Sequence, residues 1–369
     1  MSEDARARAV TLGLLGLTVF SAFFLVRPFL GPDAPYGPRP AGTTYAYSFL
    51  VVAAFAPYAL AVWGSRRGVT LRTALAGTAI LHGLVLPAAL TQSQDLYMYL
   101  FYGKMWTVHG ANPYLTLPLA FSSDPWFPWV RWPDQVSVYG PLWTLLTSLP
   151  ARLAAGNLSL AFALAKGLVW ILGLTTVAGV IAAARSRGQP AGPPLLLGVW
   201  NPVVIVSLPL GGHADVAVIA ALVWAMAADR RGRPVVAAAL LAAAALVKAY
   251  AAVALVVYLI ALARRGRVVM PAAAACAALA AVAFAPFWEG WRTLRGLAEV
   301  AGQASASVAG EIQRGLATAL GDEPAAWIVR VVGQLQGMTE VPMCVDLAAQ
   351  VGVCGPKVAM RPRLGTSIA

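Results

Sequence analysis

The chain has 369 residues, of which 59% are hydrophobic and only 11% charged, and its mean hydropathy is +0.71. A soluble domain carries about a quarter charged residues, so this composition excludes a soluble globular protein and indicates a polytopic membrane protein. The net charge of +12 does not indicate a nucleic-acid partner, because the basic residues form short clusters between apolar runs.

Nine apolar runs predict membrane-spanning helices, although several are shorter than the roughly 20 residues that cross a bilayer. They are Ala9–Val26, Tyr47–Trp63, Thr73–Leu90, Leu160–Ala184, Pro194–Leu210, Val216–Ala228, Pro234–Leu246, Ala249–Ala263 and Val268–Phe287. The predicted fold class is therefore all-α, a polytopic membrane protein with about nine transmembrane helices.

Short arginine clusters between these runs predict the topology. They are Arg6/Arg8, Arg66/Arg67/Arg72, Arg185/Arg187, Arg230/Arg231/Arg233 and Arg264/Arg265/Arg267. Cytoplasmic loops are enriched in Lys and Arg, and all the clusters are cytoplasmic together only if the apolar segment Pro141–Ala155 does not cross. We therefore predict that this segment lies at the outer surface or re-enters from it, and that the N-terminus is inside.

The loop over residues 91–158 is the longest polar-aromatic segment of the chain, and we predict that it is an external catalytic loop with juxtamembrane helices. Under the same topology, the outer ends of other spans carry further uncommon polar residues. They are Gly211-Gly212-His213-Ala214-Asp215, Lys248-Ala249-Tyr250 and Pro286-Phe287-Trp288-Glu289-Gly290 with Arg292 and Arg295. The polar residues thus converge on one face of the membrane.

The charged residues at that face each have two interpretations. Asp95 is either a general base or the N-cap of a helix. Lys248 is either a phosphate-binding charge or a side chain that extends to the interface. Asp215 is either a helix cap or, with His213, a partner for a hydroxyl, a phosphate or a metal, and two such ligands do not define a metal site.

The aromatic and loop residues also have two interpretations. Tyr97 and Tyr99 belong either to an interfacial aromatic belt or to a platform for a sugar ring. Asn112-Pro113-Tyr114 and Tyr139-Gly140-Pro141 are predicted turns. Arg292 contacts either a phosphate or lipid headgroups. Asp124 and Asp134 are predicted to be solvated loop charges rather than catalysts.

The order of these motifs resembles that of the GT-C fold glycosyltransferases. Asp-x-Tyr-x-Tyr from Asp95 is followed by Gly-x-Asn-Pro-Tyr, Tyr-Gly-Pro, Gly-Gly-His-x-Asp, a membrane lysine and Pro-Phe-Trp-x-Gly. Within that class, residues 70–300 look most like polyprenol-phosphate-mannose-dependent α-mannosyltransferases, including α-1,6-mannosyltransferases. The resemblance implies an inverting transfer of a sugar, which in the family's pattern is mannose, from a polyprenyl-phosphate donor to a glycan or glycolipid acceptor. The active site is expected on the extracytoplasmic face of the cell membrane, where the protein also contacts membrane lipid.

The resemblance and the residue types together give expected roles for individual residues. The resemblance implies Asp95 as the general base. No metal or other cofactor is expected, because a monophosphate carrier leaves with less charge to neutralise than a nucleotide diphosphate does. The donor phosphate is expected to contact Lys248, His213 and Arg292. The sugar or acceptor is expected to contact Tyr97, Tyr99, Asn112, Tyr114, Tyr139 and Asp215.

The C-terminal part departs from the family pattern, in which further spans follow Pro-Phe-Trp-x-Gly. We predict a transmembrane domain over residues 1–290 and a non-spanning tail over 291–369, with an amphipathic helix in 311–338 and an unstructured end. We interpret the departure as a C-terminal truncation or a shifted reading frame. Two alternatives to the enzyme are a transporter or lipid-linked-oligosaccharide flippase, and a structural membrane protein. Polar residues gathered at one face, without inverted repeats, argue against transport.

Overall fold

The computed structural model describes residues 3–26, 41–65, 68–88, 95–266 and 269–294, and within these ranges it is all-helical, without a β-strand. The helices are α1 (Glu3–Val26), α2 (Ala41–Ser65), α3 (Leu71–Val85), α4 (Asp95–Thr107), α5 (Pro141–Leu153), α6 (Leu158–Arg185), α7 (Gly192–Val199), α8 (Pro202–Ile205), α9 (Asp215–Arg230), α10 (Pro234–Ala245), α11 (Ala252–Arg264) and α12 (Val269–Phe284). The all-α prediction is confirmed.

The helices pack as neighbours around two main apolar cores. One core joins α1, α2, α3 and α7, and the other joins α4, α5, α6 and α9. Glycines allow α1 to approach α2 closely, because a Cβ atom at Gly13 or Gly16 would lie 2.6 Å from atoms of Pro57. Small residues at helix contacts are common where helices associate within a membrane.

The outer surface of the helices is apolar, as expected for helices that contact lipid. Its most exposed large side chains include Val19, Phe49, Val52, Val253, Met270 and Val282. Four helices in the described ranges are long and apolar enough to cross a bilayer, and α7 with residues 202–210 forms a fifth if the bent pair counts as one span. The total of nine spans stays a prediction.

The segment predicted as one span over Pro194–Leu210 is instead broken, with an angle of 66° between its two parts. The Asn201-Pro202 pair explains the break, since proline lacks an N–H donor and disfavours helical geometry in the preceding residue. The Asn201 side chain accepts a hydrogen bond from Val203 N at 2.9 Å and begins a new helix. A π-helical turn, Val206–Leu210, then leads into the Gly211-Gly212 pair.

The predicted external loop contains α4, α5 and two short 3₁₀ turns, Pro118–Phe121 and Phe127–Trp129. Helix α5 is 13 residues long, or about 20 Å, which is shorter than a bilayer core of about 30 Å. This length agrees with a segment that does not cross, and its position relative to the membrane stays a prediction. The tail over residues 295–369, with the predicted helix in 311–338, lies outside the described residues.

Candidate active site

Asp95 is the first residue of α4, and its carboxylate faces the loop that precedes α9. Asp95 Oδ2 lies 3.4 Å from His213 Nδ1, and both side chains are partly exposed. Gly212 makes this approach possible, because its φ of +68° is unfavourable for residues with a Cβ atom and its backbone packs against Leu96. The Gly-Gly-His segment thus brings an imidazole to the carboxylate predicted as the base.

Asp215 begins α9 on the other side of His213 and is held by two side chains. Lys248 Nζ donates to Asp215 Oδ2 at 2.7 Å, and Tyr250 Oη donates to Oδ1 at 2.6 Å. Burial raises the pKa of Asp215, but these hydrogen bonds and the positive charge of Lys248 outweigh it, and the pKa is lowered. Asp215 is therefore an ionised partner of Lys248 as well as the first residue of a helix.

Tyr139 is close enough to both carboxylates for their charges to affect its pKa. Burial raises its pKa, and the negative charges of Asp95 and Asp215 raise it further. Burial raises the pKa of Tyr99, and its neighbours Tyr139 and Asp95 raise it further. The rings of Tyr99 and Tyr139 meet edge-on, with centroids 4.6 Å apart. Asp95, His213, Asp215, Lys248 and Tyr139 thus form one constellation, which we call the Asp95 site.

The turn Tyr139-Gly140-Pro141 docks on the chain just before Lys248. Gly140 N donates to Val247 O at 2.9 Å, and Leu142 N donates to Leu246 O at 3.0 Å. A Cβ atom at position 140 would overlap Leu246 O, so only glycine fits. This junction sets the positions of Tyr139 and Lys248 at the same time.

The Asn112-Pro113-Tyr114 turn joins the loop to the Pro-Phe-Trp segment. Asn112 Nδ2 donates to Phe287 O at 2.8 Å and approaches Glu289 Oε1 at 3.2 Å. Tyr114 is almost fully buried and donates to Tyr139 O at 2.9 Å. Both side chains therefore support the shape of the Asp95 site through contacts with protein, and their role in sugar binding stays a prediction.

The remaining predicted residues lie at the edge of the site or in the core. Tyr97 is buried between Trp129 and Phe162, with ring centroids 5.0 and 5.3 Å away. Arg292 is exposed in the 3₁₀ turn Arg292–Leu294. The contacts that the structure describes do not bring Arg292 to the Asp95 site, so its phosphate-binding role stays a prediction.

Lys166, in the middle of α6, is a residue that the sequence analysis missed. Its ammonium is buried and donates to Pro209 O at 2.6 Å and Leu210 O at 3.1 Å. These carbonyls end the π-helical turn directly before Gly211. Lys166 therefore fixes the segment that carries His213, and a lysine within an apolar run was the signal that could have revealed it.

The prediction that Asp124 is a solvated charge is wrong, because only 8% of the residue is exposed. Lys104 Nζ and His109 Nε2 each lie 2.8 Å from its carboxylate oxygens, and Trp126 N donates to Oδ1 at 2.8 Å. A buried charge is tolerated when it is paired and hydrogen-bonded in this way. Asp134 is exposed, as predicted.

Fold and site define the class of this protein: an all-helical membrane protein whose paired polar side chains gather beside a structured loop. In the ranges described, no three His, Cys, Asp or Glu side chains lie close enough to hold a metal ion. The family model for the α-(1→6)-mannopyranosyltransferase N-terminal domain matches residues 34–264. The chain belongs to this family.

A relative gives the same assignment. The chain is similar to α-(1→6)-mannopyranosyltransferase A of Corynebacterium glutamicum, with 29% identity over 179 residues. The alignment covers 47% of this chain and 36% of the relative, so the chain spans about a third of that protein. No solved structure matches the chain. Asp95, His213, Asp215 and Lys248 all lie within the residues that the family model matches.

Proposed function

We propose that the chain is a membrane mannosyltransferase that transfers mannose from a polyprenyl-phosphate donor to a hydroxyl of a glycan or glycolipid. Family membership supports the transferase class, and the relative's name supports mannose. The observation that carries the proposal is the approach of His213 to Asp95 at 3.4 Å beside the Asp215–Lys248 pair. This arrangement supports the proposed roles of Asp95 as the base, His213 as the orienting group and Lys248 as the cation.

In the proposed reaction, Asp95 accepts the proton of the acceptor hydroxyl as its oxygen bonds to the anomeric carbon. The bond from that carbon to the phosphate oxygen breaks, its electron pair leaves with the polyprenyl phosphate, and the anomeric configuration is inverted. His213 orients the carboxylate by its contact with Oδ2. A carboxylate suffices as this base, because the proton moves late, when the glycosidic bond has largely broken.

Lys248 is the proposed partner of the leaving phosphate. Its ammonium has three N–H donors, and the described hydrogen bonds use one of them for Asp215. The other two can stabilise a developing phosphate charge. Because Asp215 offsets the charge of Lys248, we propose that Asp215 positions the lysine and that His213 adds a second donor. A sugar or acceptor hydroxyl is the proposed partner of Tyr139.

The test is transfer by an Asp95→Asn protein in membranes, with labelled polyprenyl-phosphate-mannose and short mannosides. Asparagine keeps the shape of the side chain but cannot accept the proton, so we expect transfer to fall about a hundredfold or more. Product length distinguishes the enzyme from a transporter, since only the enzyme gives a longer glycan.

The matched control is Asp134→Asn, which changes an exposed aspartate of the same loop and is expected to keep wild-type transfer. Size-exclusion chromatography in detergent checks that both variants fold. A folded Asp95→Asn protein that transfers mannose as fast as wild type would contradict the proposal.

A further inference from the structure

A cavity lined by both charged and apolar side chains lies at the far end of α4 from Asp95. Its volume is about 700 Å³, and its lining includes Lys104, His109, Asp124, Arg152 and Leu153. Lys104 follows Asp95 by nine residues, so α4 separates the two by about 14 Å. The cavity is therefore distinct from the Asp95 site.

The carboxylate in this cavity is already satisfied by protein groups. Asp124 Oδ1 accepts from Lys104 Nζ and Trp126 N, and Oδ2 lies 2.8 Å from both Lys104 Nζ and His109 Nε2. The charge of Lys104 is thus offset by Asp124, and its ammonium also lies 4.2 Å from the centre of the Trp126 ring. The buried pair shapes the cavity without giving it an excess charge.

Arg152 supplies the excess positive charge of the cavity. It is exposed near the end of α5, and its Nη1 donates to Thr107 O at 3.2 Å. A guanidinium group has five N–H donors in a planar fork, and this fork matches the oxygens of a phosphate. The described hydrogen bonds use one donor, so the others can bind an anion in the cavity.

The rim beside Arg152 is apolar. Leu149 and Leu153 are 62% and 60% exposed, whereas the polar Thr144, Thr147 and Ser148 of the same helix are buried. Helix α5 therefore exposes apolar side chains and buries polar ones, which is the opposite of a helix whose outer face contacts water. A helix of this kind is stable where its outer face contacts hydrocarbon.

The Arg152 guanidinium, with N–H donors beyond the one that binds Thr107 O, and the adjacent apolar face of α5 together fit one class of ligand. We infer that the cavity binds the phosphate headgroup of an anionic phospholipid, with the headgroup at Arg152 and the acyl chains along Leu149 and Leu153. The inference does not rest on the proposed transferase activity, since lipid binding is measured without donor or acceptor.

The test is native mass spectrometry of the detergent-solubilised full chain, titrated with phosphatidylglycerol or with a diacylglycerol that has the same acyl chains. We expect phosphatidylglycerol to bind and diacylglycerol to bind about tenfold more weakly. Arg152→Gln should weaken phosphatidylglycerol binding about tenfold, because it removes hydrogen bonds to a charged group. Arg152→Lys should lose less, because it keeps the charge without the fork.

The matched control is Arg264→Gln, which removes an exposed arginine at the end of α11 and should bind phosphatidylglycerol as wild type does. Wild-type binding by both Arg152 variants, or equal losses in Arg152→Gln and Arg264→Gln, would overturn the inference. Equal binding of diacylglycerol would show an apolar contact only. Displacement of the lipid by an equal concentration of inorganic phosphate would assign the cavity to free phosphate instead.

Discussion

Asp124 shows how one residue can anchor a loop that has little regular structure. Burial raises the pKa of Asp124, but hydrogen bonds from Lys104, the Trp126 N–H and His109 outweigh it, and the pKa lies below its ordinary value. A carboxyl group with a lowered folded-state pKa stabilises the fold above its unfolded pKa, near ~4. This contribution is lost as the pH falls through the folded-state pKa.

We expect Asp124→Asn to destabilise the protein by about 3 kcal/mol, because it leaves the buried Lys104 ammonium without its counter-ion. The measurement is thermal unfolding in detergent as a function of pH. The difference between variant and wild type should be full near neutral pH and should shrink in acid, where Asp124 is protonated in both the folded and the unfolded wild type.

The exposed Asp134 supplies the matched control. Asp134→Asn should change stability by no more than about 0.5 kcal/mol, as is usual for surface substitutions. Equal unfolding midpoints for Asp124→Asn and wild type at neutral pH would show that the ion pair does not anchor the loop.

At the scale of elements, the Asp95 site depends on a junction between α5 and the segment before Lys248. Gly140 lies against Leu246 O, with hydrogen bonds on both sides of the contact. Because Tyr139 and Lys248 flank this junction, any displacement moves both of them. The junction therefore couples the loop over residues 91–158 to the segment that carries the proposed phosphate partner.

We expect Gly140→Ala to lower transfer about tenfold to a hundredfold, since a misplacement of about 1 Å costs this much in an active site. Transfer from polyprenyl-phosphate-mannose to a short mannoside is the measurement. Gly198→Ala is the control, because a Cβ atom there meets no other atom within 4 Å, and it should keep wild-type transfer. Equal rates for the two variants would show that the junction does not position the site.

The helices themselves could be predicted from the sequence because hydropathy is a local property. Each of the nine apolar runs corresponds to a helix or a helix pair in the described residues. The break at Asn201-Pro202 was missed although the proline signal is local, because the run is apolar on both sides. The arginine clusters and the alternation of spans also predicted that Asp95, His213 and Lys248 lie on one face of the membrane. The structure places Asp95 beside His213 and Lys248 beside Asp215, and the face of the membrane stays a prediction.

Tertiary partners could not be predicted in the same way. The pairing of Asp124 with Lys104 and His109 joins residues separated by 20 and 15 positions without a helical or strand period. The contact of Gly140 with Leu246 spans more than a hundred residues, so no local pattern indicates it. Such contacts follow from how helices pack, which hydropathy does not specify.

At the scale of the whole molecule, the Asp95 site lies at one end of α9 and α11, and Arg230 and Arg264 lie at the other end of these helices. Helix α9 runs from Asp215 to Arg230, a length of about 24 Å, and α11 runs from the Lys248 segment to Arg264. If Lys- and Arg-rich loops are cytoplasmic, the Asp95 site is on the extracytoplasmic side. The proposed topology can therefore be tested by measuring on which side of the membrane each end of these helices lies.

The test uses single cysteines in a background with Cys276, Cys344 and Cys354 replaced by alanine. Ser123→Cys introduces an exposed thiol in the loop over residues 91–158, and Gln189→Cys introduces one after the Arg185/Arg187 cluster. With a membrane-impermeant maleimide on intact cells, we expect Ser123→Cys to be labelled and Gln189→Cys to be labelled only after lysis. The reverse pattern would place the Asp95 site on the cytoplasmic side, where a donor presented in the outer leaflet could not reach it.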